Sequence, residues 1–130
     1  MALVLARLGS VFYILWGLLH VFAAWQVYAM AASLQAGPVQ GRVMQAAMFL
    51  LFFSGWSIIV AIVWNWRNRV LGYWLNLVVV TVADIAFIAA ILVPGHVRLW
   101  PGIVGPLLWM LGLALTTAGM ITARRARGRT

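Results

Sequence analysis

One acidic residue constrains this chain more than any other feature. Residues 70–93 read VLGYWLNLVVVTVADIAFIAAILV, a run long enough to cross a bilayer, and Asp84 lies inside it. A spanning helix needs about 20 predominantly apolar residues. A carboxyl group at that depth costs roughly 2.5–3.5 kcal/mol on insertion scales. Asp84 is the sole Asp or Glu in the chain, so no second carboxylate shares that cost. It must turn inward, find a partner or keep its proton. A residue held at such expense is first a candidate for function.

The composition fits a membrane origin for this run. Of 130 residues, 66% are hydrophobic and 8% are charged, with a mean hydropathy of +1.06. Soluble domains carry about 25% charged residues, so a soluble fold is excluded. The chain lacks cysteine, which rules out disulfides, thiolate chemistry and Cys-ligated metal centres. All basic residues are arginines, and they give a net charge of +8. They sit at the ends of apolar runs and in the tail 124–130, which fits topology signals and anionic-lipid contact better than nucleic acid. We therefore expect membrane lipids as partners and no nucleic acid.

Four apolar runs stand out, at about 8–32, 43–64, 70–93 and 103–123. The first resembles a signal peptide with an Ala29-Met30-Ala31 cleavage site. Its length exceeds the 7–15 apolar residues usual for such a segment, and we expect a retained span. Gly37-Pro38 and Pro94-Gly95 read as turns. The link Asn65-Trp66-Arg67-Asn68-Arg69 is short enough only for an antiparallel helical hairpin. The expected fold is all-α: a single-domain, integral membrane, antiparallel bundle of four transmembrane helices. A β-barrel is excluded because the runs do not alternate, and no heptad seam is evident. Arg7, Arg67, Arg69, Arg124, Arg125, Arg127 and Arg129 fall on one side, against Arg42 and Arg98 on the other. The positive-inside rule then makes both termini cytoplasmic, in a multi-pass protein of a bacterial cytoplasmic (inner) membrane.

Depth counting singles out a second ionisable group. His20 lies about 20 Å of helix rise beyond Arg7, and Asp84 about 21 Å beyond Val70. The first and third spans run in the same direction, so the two side chains reach similar depths. If their faces meet, they pair. Tyr73, Asn76, Leu77, Val80 and Asp84 form one stripe at three- and four-residue steps. Tyr13, Trp16, Gly17, His20 and Ala24 form another, with Gly17 leaving room beside His20. We expect an apolar, aromatic cleft open toward the outer half of the membrane. In it Asp84 and His20 would be catalytic, and Tyr13, Trp16, Asn76 and Tyr73 would bind substrate. Each has a simpler role as well: Asn76 as helix–helix glue, the aromatics as packing, His20 as a donor to a backbone carbonyl. No metal site or cofactor is expected, since His96 belongs to a loop well above His20.

The size and four-span plan are similar to those of small multidrug transporters and DoxX-like proteins. The likeness is one of architecture: small multidrug transporters place their essential acid in the first span, and no functional residue carries over.

Three functions follow as expectations. The first is binding of a hydrophobic small molecule such as an isoprenoid, sterol-like lipid or quinone, or acid/base chemistry on it. A metal-independent isomerase, cyclase or epoxide hydrolase would need no more than Asp84 and His20. The second is a non-catalytic subunit or assembly factor of a larger membrane complex. The third is a proton-coupled exporter, which at this length requires a homodimer.

Overall fold

The structure is a computed structural model that describes residues 1–128. Among these residues every regular element is helical. Four helices are long and apolar enough to span a membrane. We label the elements α1 (Ala2–Ser33), α2 (Pro38–Val63), α3 (Val70–Phe87), α4 (Leu99–Gly102) and α5 (Val104–Arg127). A 3₁₀ turn, Asn65–Arg67, joins α2 to α3, and a widened π turn, Ile88–Leu92, extends α3.

Three of the four long helices run past an expected end, while α3 and its π turn stay within 70–93. α1 starts before Arg7, because an arginine stem can lie along an apolar helix while its head reaches water. α2 starts at Pro38, within a segment read as a link, since proline suits the first helical turn, where its missing N–H costs nothing. α5 continues through Arg124 and Arg125 to Arg127, and basic residues in a last turn complement the helix dipole. Arg129, counted above with the basic tail, lies outside the described residues.

α1 packs chiefly against α2 and α5, while α3 packs against α2 and α5 from the far side. The four long helices thus form a square, with α1 and α3 on its diagonal. The tight hairpin is set by Asn68, whose backbone is left-handed at φ 51°. Asparagine tolerates this conformation better than most residues. Its side-chain Nδ2 donates to the Gly119 carbonyl at 3.3 Å, tying the hairpin to α5. Arg7 of α1 stands over the Trp66 ring, 5.7 Å from its centroid. The start of α1, the α2–α3 hairpin and the end of α5 therefore gather at one end of the bundle.

A seam of small residues joins α1 to α5. Gly105, Gly112 and Gly119 recur every seven residues and face α1. An added Cβ at Gly119 would meet Ala2 and Ala6, at Gly112 the Tyr13 ring, and at Gly105 the His20 ring. From the other side, a Cβ at Gly9 would lie 2.9 Å from the Thr116 backbone nitrogen and 3.0 Å from the Gly112 carbonyl oxygen. Such backbone proximity is the usual basis of helix association in lipid. The heptad seam not evident from sequence is therefore present, written in glycine rather than in leucine.

Candidate functional site

The square arrangement decides what Asp84 can meet. Gly72, Asn76, Val80 and Asp84 form the buried stripe of α3, spaced by four residues. Of these, Val80 and Asp84 meet α1 across the diagonal. Tyr13, Trp16, Ala61 and Val80 pack together as the core. Above this layer Asp84 is fully buried, at 0% exposure.

Its partner is Trp16, not His20. The indole Nε1–H donates to Asp84 Oδ2 at 2.6 Å. The expected His20–Asp84 pairing assumed adjacent helices. Across a diagonal the longer indole, one turn earlier on α1, makes the bridge. His20 is instead oriented by α1 itself: its Nδ1 lies 2.8 Å from the Trp16 carbonyl oxygen. A carbonyl only accepts, so Nδ1 carries the hydrogen and Nε2 of the neutral ring keeps its lone pair. The imidazole also stacks on the Trp16 indole, with centroids 3.8 Å apart and planes inclined by 23°. Trp16 therefore holds both groups at once.

One oxygen is left over. Asp84 Oδ1 is buried and has no hydrogen-bond partner. It lies beside Gly105. A Cβ there would lie 3.8 Å from Asp84 Oδ1, 3.6 Å from His20 Nε2 and 3.1 Å from His20 Cε1. The acid and the histidine thus both lie against Gly105, where the missing side chain lets them pack closely on α5. Gly105 was not singled out in the sequence. The room attributed to Gly17 is filled by α2: a Cβ there would lie 2.5 Å from Ile58 Cγ1 and 2.9 Å from the Ser54 carbonyl oxygen.

The other candidates lie elsewhere. Asn76 is two turns toward the hairpin, where its Nδ2 donates to the Ser57 carbonyl at 3.3 Å. Ser57 Oγ in turn donates to the Tyr13 carbonyl at 3.0 Å. Asn76 therefore ties α3 to α2, in the glue role. Tyr13 packs its ring in the core, and its hydroxyl is another buried group without a partner. Tyr73 accepts a hydrogen bond from Thr117 Oγ1 at 3.2 Å, about three turns from Asp84. The site that assembles is Trp16, His20, Asp84 and Gly105.

The expected open cleft is closed at this depth, since Asp84, Trp16 and Val80 are all fully buried. His20, half-buried, is the member of the cluster nearest the surface. One turn further along α1 an apolar groove of about 280 Å³ opens between α1 and α2, lined by Val21, Ala24, Trp25, Tyr28, Met48 and Leu51 among others. His96 is exposed in the loop after the π turn. Among the described residues no three His, Cys, Asp or Glu side chains gather in metal-binding geometry.

Chemically, the cluster offers one carboxyl oxygen and one imidazole lone pair, held in register by a shared indole and screened from water. Compared with protein-family models, with curated proteins and with solved structures, the chain matches none.

Proposed function

We propose that this chain is a multi-pass protein of a bacterial cytoplasmic membrane that binds a hydrophobic small molecule, with Asp84 and His20 receiving its polar group. The observation that supports this reading is the unpartnered Asp84 Oδ1, which lies with His20 Nε2 against Gly105. A buried polar atom without a partner costs about 1–3 kcal/mol, a cost that a ligand's polar group would offset. The apolar groove one turn from His20 suits the ligand's tail. Both termini are cytoplasmic in this reading. Arg7, Arg67, Arg69, Arg124, Arg125 and Arg127 gather at the hairpin end, against Arg42 and Arg98 at the other, and arginine favours the inner face. Acid/base rearrangement of the bound molecule, such as isomerisation, cyclisation or epoxide opening, uses the same two groups without further machinery.

The test is gentle extraction followed by mass spectrometry of co-purifying small molecules, on the native chain and on Asp84→Asn. Asparagine keeps an oxygen to accept from Trp16, so the bundle survives. We expect a stoichiometric lipophilic molecule in the native protein and at least a tenfold loss in the variant. Equal occupancy in both would overturn the reading.

A second reading rests on the complete burial of Asp84. A carboxyl held inside the bundle is also what a non-catalytic subunit of a larger membrane complex needs to fix α3. In that case Asp84→Asn leaves assembly unchanged and Asp84→Leu weakens it, because the Trp16 N–H loses its acceptor. Proton-coupled export finds less support, since Asp84 lies behind Trp16 inside one chain, where a homodimer does not bring two carboxyl groups together.

A further inference from the structure

The hairpin end of the bundle carries charge that no acidic side chain of this protein offsets. Arg7, Arg67, Arg69, Arg124 and Arg125 lie exposed there. The sole Asp or Glu in the chain is Asp84, which is buried in the core and bonded to Trp16. Lysine would serve topology as well as arginine, yet every basic residue is an arginine. Arginine differs in presenting a planar fork of donors that fits phosphate oxygens two at a time. The fold places one such fork. The 3₁₀ turn Asn65–Arg67 packs on α1, and Arg7 stands over the Trp66 ring, 5.7 Å from its centroid. That contact engages the guanidinium through its charge and uses none of its N–H donors. Arg67 follows Trp66 in the same turn. Further along α1, Val11, Leu15 and Leu18 continue from Arg7 in steps of four, four and three residues, and all three are exposed.

We infer that this corner of the surface binds an anionic phospholipid of the adjoining leaflet, its phosphate held by Arg7 and Arg67 beside Trp66 and its acyl chains laid along Val11, Leu15 and Leu18. The headgroup supplies the counter-charge that the sequence lacks. Its phosphate accepts from one fork on α1 and one on the hairpin, so a bound lipid ties the start of α1 to the α2–α3 turn. Trp66, 38% exposed, suits the headgroup level, where amphipathic indoles concentrate. A zwitterionic lipid carries the same phosphate but brings its own cation, which the surrounding arginines repel. An acidic peptide or a nucleic acid would meet the charge and leave the apolar stripe unused. The inference is independent of the ligand proposed at Asp84, which rests on other side chains deeper in the bundle.

The test uses the full chain in dodecyl maltoside and native mass spectrometry, with phosphatidylglycerol and phosphatidylcholine of identical acyl chains as probes. Phosphatidylglycerol should bind about tenfold or more tightly than phosphatidylcholine. The double variant Arg7→Lys with Arg67→Lys keeps every charge and removes both forks. Its affinity for phosphatidylglycerol should fall by about fivefold or more. The same exchange at Arg42 and Arg98, at the other end of the bundle, should leave that affinity unchanged. All four positions are exposed, so the fold is kept. Equal binding of the two lipids to the native chain would overturn the proposal. Undiminished phosphatidylglycerol binding in the Arg7 and Arg67 variant would reduce the effect to net charge and overturn the site. Glycerophosphoglycerol, the headgroup without its chains, is added as a competitor. Displacement of the lipid by an equal concentration of it would overturn the lipid assignment in favour of a free phosphodiester.

Discussion

The pairing of α1 with α5 and the attachment of α3 are held together by different physics. α1 and α5 meet through backbone proximity along Gly9, Gly112 and Gly119. α3 is attached by polar side chains: Trp16 to Asp84, Asn76 to the Ser57 carbonyl, Trp109 Nε1 to Thr81 Oγ1 and Thr117 to Tyr73. The coverage differs accordingly. About 33% of the apolar window of α1 and of α5 is buried, but 17% in α3. The helix that carries the chain's one acid is thus the long helix least covered by packing. In lipid there is little hydrophobic drive between helices, so close contact and hydrogen bonds carry association. The α1–α5 seam makes the frame, and α3 is fastened to it at a few polar points. Asp84 belongs to the fastening and, through Oδ1, to the site.

The largest expected effect comes from breaking the frame. Gly9→Val places carbon against the Thr116 nitrogen and the Gly112 carbonyl oxygen, and backbone atoms in packed helices cannot rotate away. Overpacking typically costs 1–3 kcal/mol, and this site should reach the upper end, about 3 kcal/mol. Reversible unfolding in mixed micelles measures it. A loss below that of the polar variant considered next would show that the seam is not the dominant contact.

Much of the frame was legible in the sequence, and its wiring was not. Hydropathy and the punctuation at Gly37-Pro38, Asn65–Arg69 and Pro94-Gly95 mark four runs, because apolar length and turn chemistry are local properties. The ends were harder to place. Proline opens α2 and arginines continue α5, since both residue types are tolerated in terminal turns. Depth was legible too: counting residues puts His20 and Asp84 near one level, and both do border Gly105. Which side chain would bond Asp84 depended on α1 and α3 lying diagonally, a non-local fact that residue counting along two separate helices does not contain. Gly105, Gly112 and Gly119 were in plain view at a seven-residue spacing. Their signal was obscured because glycine is common in apolar spans, where it does not announce a contact as a leucine heptad does.

Trp16→Phe tests the fastening. The ring volume is largely kept, but Asp84 Oδ2 loses its donor, and both carboxyl oxygens are then buried without a partner. The expected cost is about 2 kcal/mol, roughly thirtyfold in the equilibrium between docked and loosened α3. The comparison makes this effect local. Hydrogen exchange of α3 amides around Asp84 should rise, while exchange along Ala6–Tyr13 and Gly112–Gly119 stays near that of the native protein. A uniform rise across all four long helices would mean that α3 and the frame unfold as one unit, and the contrast between the two attachments would fall.

Asn76→Leu gives the smallest effect and separates polarity as such from the particular bond at Asp84. Asn76 makes one long hydrogen bond, 3.3 Å to the Ser57 carbonyl, and its Oδ1 has no partner. Leucine removes the bond and the unpartnered oxygen together, and fills a similar volume. Hydrogen bonds between membrane helices average about 0.6 kcal/mol in double-mutant cycles, and relief of the buried oxygen offsets part of that. The unfolding free energy should therefore move by no more than about 0.6 kcal/mol, with exchange near Asp84 unaffected. The reason for the difference from Trp16→Phe is chemical: deleting an amide takes away both the bond and the group that needed it, whereas deleting the indole N–H strands a carboxyl group that stays behind. If the two variants prove equally costly, α3 is held by the sum of its polar contacts, and Asp84 has no special standing among them.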